Sequence, residues 1–182
     1  MPNWVHNSLT VMGKPQDIAA FIHKAGQAVP NKEPNPLQFH NFVPVPNEFS
    51  NSMEGLTDWE FKNWGCKWDA INCEIHPGED DSEAFYYFDT AWDPPVKILK
   101  TIGQAHPDLL FLLQSHSMES GYLLDVIVLG DIGYLIDRSG IMDAGRNCTC
   151  GCFNEITTNN KRITVVPQVF WLRGKKELAC RV

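Results

Sequence analysis

Trp4-Val5-His6-Asn7-Ser8-Leu9-Thr10-Val11, closed by Gly13-Lys14-Pro15, is the stretch on which the fold turns. Val5, Asn7, Leu9 and Val11 interleave with Trp4, His6, Ser8 and Thr10. Successive side chains of a strand point to opposite faces, so this alternation predicts a strand with one buried side. Pro15-Gln16-Asp17 then opens a helix. Ile18, Phe21, Ile22 and Ala25 follow the i, i+3, i+4, i+7 rule that gathers apolar residues on one helical face, and Gly26 closes it.

Outward from this β-α start, residues 27–52 hold five of the twelve prolines. They predict an extended but ordered loop, because Phe39, Phe42, Val43 and Val45 need a place to pack. A short helix is expected over 54–64, carrying Leu56, Trp59 and Phe61. Residues 68–75 and 84–90 predict a hairpin whose turn, 76–81, is rich in acid. Asp93-Pro94-Pro95 predicts a second main helix, with Asp93 as N-cap and Pro94 at the first helical position. Val96, Ile98, Leu99 and Ile102 would form its buried face, and His106-Pro107-Asp108 its end. Residues 109–115 predict a strand, and 122–129 with 132–136 a hairpin around Gly130-Asp131.

This order predicts an α+β, ferredoxin-like split β-α-β sandwich: an antiparallel sheet, two helices on one face, and extra C-terminal strands. Residues 1–139 are read as that domain. Residues 140–182 are read as a Cys-containing extension, with a strand-like run over 162–172 and a basic tail.

Composition narrows the function classes. Hydrophobic residues make up 43% and charged residues 20% of the 182, which excludes wholesale disorder. A net charge of −7 argues against a phosphate-binding surface spread over the whole molecule. The N-terminus shows no secretory pattern, and no apolar run approaches the ~18 residues that span a bilayer. A cytoplasmic location and no membrane partner are therefore expected.

Two tryptophan–aspartate blocks stand out: Asn63-Trp64-Gly65-Cys66-Lys67-Trp68-Asp69 and Phe88-Asp89-Thr90-Ala91-Trp92-Asp93-Pro94-Pro95. Asp is rarely buried without a partner, so repeated juxtaposition with indoles marks a built feature. Together with Met1-Pro2-Asn3-Trp4, Asn7-Ser8-Leu9-Thr10-Val11 and Phe42-Val43-Pro44-Val45-Pro46, in this order, the blocks resemble the YubB-type (Api-like) ferredoxin-like family. These are small proteins carried by phages and conjugative plasmids. The resemblance covers about residues 1 to 135. It departs at Cys66, where the family commonly has Thr, and at Asp93, where it commonly has Ser. It implies a fold and a mobile-element context, in which countering a host defence such as CRISPR-Cas or restriction is a natural role; it carries no catalytic residues.

The residues themselves suggest a groove lined by Trp64, Trp68 and Trp92, with Lys67, Asp69, Asp89 and Asp93 at its rim, suited to gripping a macromolecule. The alternative is a structural corner, with the indoles packed under the helix and the carboxylates bonded to turn amides. A non-enzymatic accessory protein with a host or phage protein complex as partner is the leading expectation. Nucleic acid is not favoured: Tyr86, Tyr87 and Phe88 lack the basic surroundings of an RNA-binding strand. The enzymatic alternative is a small metal- or nucleotide-dependent hydrolase using His116, Glu119 and nearby aspartates such as Asp125, with His6 on the first strand as a second histidine. No H-x-[ST] pair, Walker loop or H-E-x-x-H supports it. No cofactor is expected, except that Cys148, Cys150, Cys152 and Cys180 could supply four thiolates to a structural zinc. The C-x-C spacing suits zinc less well than C-x2–4-C, and free thiols or a redox pair are the competing readings.

Overall fold

The alternating N-terminal stretch forms strand β1 (Trp4–Met12), and the amphipathic run after it forms helix α1 (Pro15–Ala25). The computed structural model describes residues 3–30, 32–49, 53–78, 81–117, 122–137, 154–158, 161–165 and 169–171. In these, α1 is followed by helix α2 (Met53–Asn63), strands β2 (Lys67–Pro77) and β3 (Glu83–Ala91), helix α3 (Val96–Ala105), and strands β4 (Leu110–Ser117), β5 (Tyr122–Leu129) and β6 (Ile132–Asp137). Three further strands follow: β7 (Asn154–Thr158), β8 (Lys161–Val165) and β9 (Val169–Trp171).

The main sheet runs in the order β2-β3-β1-β4-β5-β6, and β9 adds a three-residue pairing along β6. Every neighbouring pair is antiparallel. The mixed α+β architecture and the antiparallel sheet are as expected. The strand order is not the simple four-stranded split β-α-β arrangement, because the sheet continues past β4 and a third helix stands between α1 and β2. The strand-like run over 162–172 is two strands, β8 bonded to β7 and β9 bonded to β6.

One face of the sheet is dry. Val5, Leu9 and Val11 of β1, Ala84, Tyr86 and Phe88 of β3, Phe111 and Leu113 of β4, and Val126 and Val128 of β5 are all buried. Helix α1 covers this face through Phe21, whose ring stacks on Phe42 at 5.6 Å and meets Tyr86 and Phe111 edge-on at 6.0 and 5.4 Å. Helix α3 closes on the same face with Ile98, Leu99 and Ile102. It lies so close to β5 that a Cβ on Gly103 would fall 2.3 Å from Val128 Cγ1.

Asn7 is the polar member of the buried stripe. It donates to Thr90 Oγ1 (3.0 Å) and accepts from Ser115 Oγ (2.7 Å), tying β3, β1 and β4 together without an unpaired group. Thr90 Oγ1 in turn donates to the Asp93 carbonyl (2.9 Å), fixing the corner that leads to α3. That corner corrects one expectation. Helix α3 begins at Val96, its N-cap is Pro95, and no side chain caps it. The chain makes a tight turn at Pro95, with the Val96 amide donating to the Pro94 carbonyl at 2.8 Å, so Asp93 stands two residues too early to cap.

Candidate functional site

Helix α2 ends where Gly65 adopts a φ of 91°, a left-handed turn that glycine enters without strain. Asn63, Trp64, Gly65 and Lys97 satisfy its last carbonyls: Asn63 Nδ2 donates to Trp59 O, the Trp64 and Gly65 amides to Glu60 O, and Lys97 Nζ to Phe61 O. The turn sends Trp64 inward. Its ring is 1% exposed, meets Phe39 and Trp59 edge-on, and donates its Nε1 proton to Val43 O at 3.0 Å. Trp64 is therefore the floor of the core beneath the 27–49 loop and not an exposed wall of a groove.

Trp68 and Trp92 point the other way. Both have left-handed backbones, with φ of 66° and 74°, and are 38% and 41% exposed. The Lys67 ammonium lies between them, 4.9 Å from the Trp68 centroid and 4.3 Å from that of Trp92. Phe61 stacks behind Trp92 at 5.6 Å, and Trp4 flanks Trp68 at 6.2 Å. The result is an aromatic ledge with a clamped cation, Trp4–Trp68–Lys67–Trp92–Phe61. Strand β2 delivers it at the sheet edge, where register shifts between Lys67 and Ile71 and between Ile71 and Glu74 bulge the strand. Such bulges re-aim side chains and blunt an edge against pairing.

The aspartates of the two blocks separate. Asp69 is a loop clamp: its carboxylate accepts the Phe39 amide at 2.5 Å and the His40 amide at 3.4 Å, and pairs with Lys32 Nζ at 3.0 Å. Asp89 lies on the open face of the sheet, where it holds His6 Nδ1 at 2.7 Å and Asn72 Nδ2 at 2.9 Å. Asp93 is exposed beside Trp92. Of the seven expected groove residues, Lys67, Trp68 and Trp92 come together, and Trp64, Asp69, Asp89 and Asp93 serve other places.

Behind Trp68, described loop residues between Val29 and Asn47, α2 and the start of β2 line a partly open cavity of about 640 Å³. Lys32, His40, Glu60, Trp64, Trp68 and Asp69 are among its lining residues. Glu60 is 4% exposed and accepts the Trp68 amide at 3.0 Å on Oε2. Burial pushes its carboxyl above the ordinary value, and the Trp68 amide and the nearby Lys32 and Lys67 charges only partly offset this. Burial and Lys32 hold His40 below the usual imidazole value, consistent with its Nδ1 accepting the Val45 amide at 3.3 Å. No sequence pattern singles out Glu60, Lys32 or His40. The nearest signal is an acid four residues before the Trp-Gly stop of α2, which becomes a buried group only once the distant loop folds over it.

The open face brings together the histidines that sequence spacing kept apart. His6 and His116 are direct cross-strand partners with ring centroids 5.2 Å apart. Asp125 lies nearby on β5, accepting from Gln114 at 3.3 Å. Glu119, Cys148, Cys150, Cys152 and Cys180 lie outside the described residues. Among the described residues no group of three or more His, Cys, Asp or Glu has metal-binding geometry. Cys66 and Cys73 are free thiols, and burial raises both, Cys73 to about 12, so neither is a ready nucleophile at neutral pH. Among the described residues no helix is long and apolar enough to cross a membrane. No family model, curated protein or solved structure matches the chain.

Proposed function

We propose that this chain is a non-enzymatic binding protein whose contact surface is the aromatic ledge. The observation that carries the reading is the Trp68–Lys67–Trp92 sandwich: two large indoles held exposed on left-handed backbones. A bulky residue at positive φ is strained, and such strain persists where the surroundings enforce it, often at ligand clamps. Tryptophan is also among the residues enriched in the anchoring positions of protein interfaces. The resemblance to phage and plasmid proteins supports a host or phage protein complex as partner, with inhibition of a host defence system as the concrete form. The strand order β4-β1-β3-β2 within the sheet supports a ferredoxin-like reading of this half, with α2 inserted and β5 and β6 appended.

The enzymatic alternative now rests on the His6–His116 pair with Asp89 behind it. One comparison separates the two. A partner captured by the tagged full chain should bind Trp68→Ala/Trp92→Ala at least about thirtyfold more weakly, the loss expected of hot-spot truncation. His116→Ala should bind as wild type does. Equal capture by the double variant, with its melting temperature unchanged, would sink the ledge; a turnover lost on His116→Ala would establish the enzyme.

A further inference from the structure

The cavity behind Trp68 contains an internal clue to its ligand. Glu60 is buried at 4% exposure, its Oε2 accepts the Trp68 amide, and its side chain lines the cavity. Trp68 presents indole surface to the same space with the buried Trp64 ring beneath it, and Asp69 adds a second carboxylate. One cation is already there. Lys32, on the loop, reaches Asp69 at 3.0 Å and stands 5.9 Å from the Trp64 ring centroid, with its side chain 38% exposed.

We propose that this cavity receives a cationic side chain, arginine or lysine, from the bound partner, and that Lys32 is the built-in occupant which the partner displaces. This rests on the ledge reading, because the cavity opens beside Trp68 and would be filled by the segment that crosses the ledge. Aromatic walls with carboxylates attract a cation by ring quadrupole and by charge together. A guanidinium suits the place best: it is planar, weakly hydrated, stacks on indole, and offers several N–H groups to Glu60 Oε1 and Asp69 at once. The cavity's volume of about 640 Å³ accommodates a whole side chain and not merely an ion. The chain's net charge of −7 favours approach of a basic segment.

The test uses the full chain and two small probes, Nα-acetyl-arginine methylamide and its neutral isostere Nα-acetyl-citrulline methylamide. Binding is read from the indole N–H resonances of Trp64 and Trp68. The arginine probe should bind saturably and at least about tenfold more tightly than the citrulline probe. Lys32→Ala should tighten arginine binding, because the internal competitor is gone. Adding Glu60→Gln to that variant should weaken it again, while the Gln carbonyl still accepts the Trp68 amide. Equal binding of both probes, or arginine binding indifferent to Lys32 and Glu60, would overturn the proposal; the probe comparison needs no variant to fold. Trp92 is not among the residues lining the cavity, so the two ideas fail separately. No probe binding with capture still lost in Trp92→Ala removes only the cavity ligand. Probe binding with capture intact in Trp92→Ala removes only the ledge.

Discussion

The two tryptophan–aspartate blocks have nearly the same composition; Trp68 of the first and Trp92 of the second share the ledge, but their other members meet opposite fates. In the first, Trp64 goes into the core and Asp69 clamps the loop above it. In the second, Trp92 goes out to the ledge, Asp89 faces the open side of the sheet, and Asp93 is exposed. Residue type does not separate them; backbone geometry and the available donors do. Gly65 turns the chain so that Trp64 follows the buried face of α2, whereas the positive φ at Trp92 turns its ring away from β3. Asp69 meets three backbone amides, those of Phe39, His40 and Ala70, whereas Asp89 meets two side chains that water could serve as well.

The sharpest way to break this comparison is to truncate both indoles. Trp64→Ala should lose about 3–5 kcal/mol, the range for emptying a large buried aromatic site. Trp92→Ala should lose less than about 1 kcal/mol, because surface truncations seldom cost more. Urea midpoints at unchanged m-value would check both. Similar losses would mean that the ledge is part of the core.

The carboxylates come next. Asp69→Ala removes charge-assisted bonds to the Phe39 and His40 amides and the Lys32 pair, and should cost about 1.5–3 kcal/mol. Faster hydrogen exchange at those two amides would locate the loss. Asp89→Ala breaks an exposed pair and should cost under about 1 kcal/mol. Equal costs would erase the distinction between clamp and surface pair.

The regular elements were legible because their periods are local. The alternation of β1, the i, i+3, i+4 spacing of α1 and the 122–136 hairpin all follow from neighbours in sequence, and all are present. The expected wall position of Trp64 failed because its place depends on Phe39 and Val43, more than twenty residues away. The expected Asp93 cap failed by two residues, since the two prolines delay α3. The cavity was invisible for the same reason as Trp64. Its acid, its cation and its indoles come from three segments, and the loop carrying Lys32 has no periodicity that says where it lies. The His6–His116 pair shows the converse: the H-x-[ST] spacing holds at His6-Asn7-Ser8 but not at His116-Ser117-Met118, yet strand register set the rings side by side.

Glu60, on the helix that leads into the first block, sharpens the contrast. Its carboxyl is raised in the folded chain, so the folded state holds its proton to higher pH than the unfolded state does. The stability linked to that proton is fully present below the unfolded carboxyl's titration. It is lost as pH rises through the folded one. Glu60→Gln should therefore be more stable than wild type at neutral pH, by less than the Asp69 effect, with the difference closing on acidification. Thermal melts across the acid limb would show it. A difference independent of pH would mean that the carboxylate is solvated and the cavity wetter than its 4% exposure implies.

The smallest effect tests the backbone itself. If the ledge stores strain at Trp92, then Trp92→Gly, which tolerates a φ of 74°, should be more stable than Trp92→Ala by about 0.5–1 kcal/mol. Tyr87, equally exposed at 47% but in ordinary strand geometry, provides the control. There the order should reverse, because glycine in a strand interior is the worse residue by about the same amount. A Gly-over-Ala advantage at both positions, or at neither, would detach the exposure of the ledge from its left-handed backbone. An advantage at Trp92 alone would mean that the chain sustains a strained conformation to keep that indole outside.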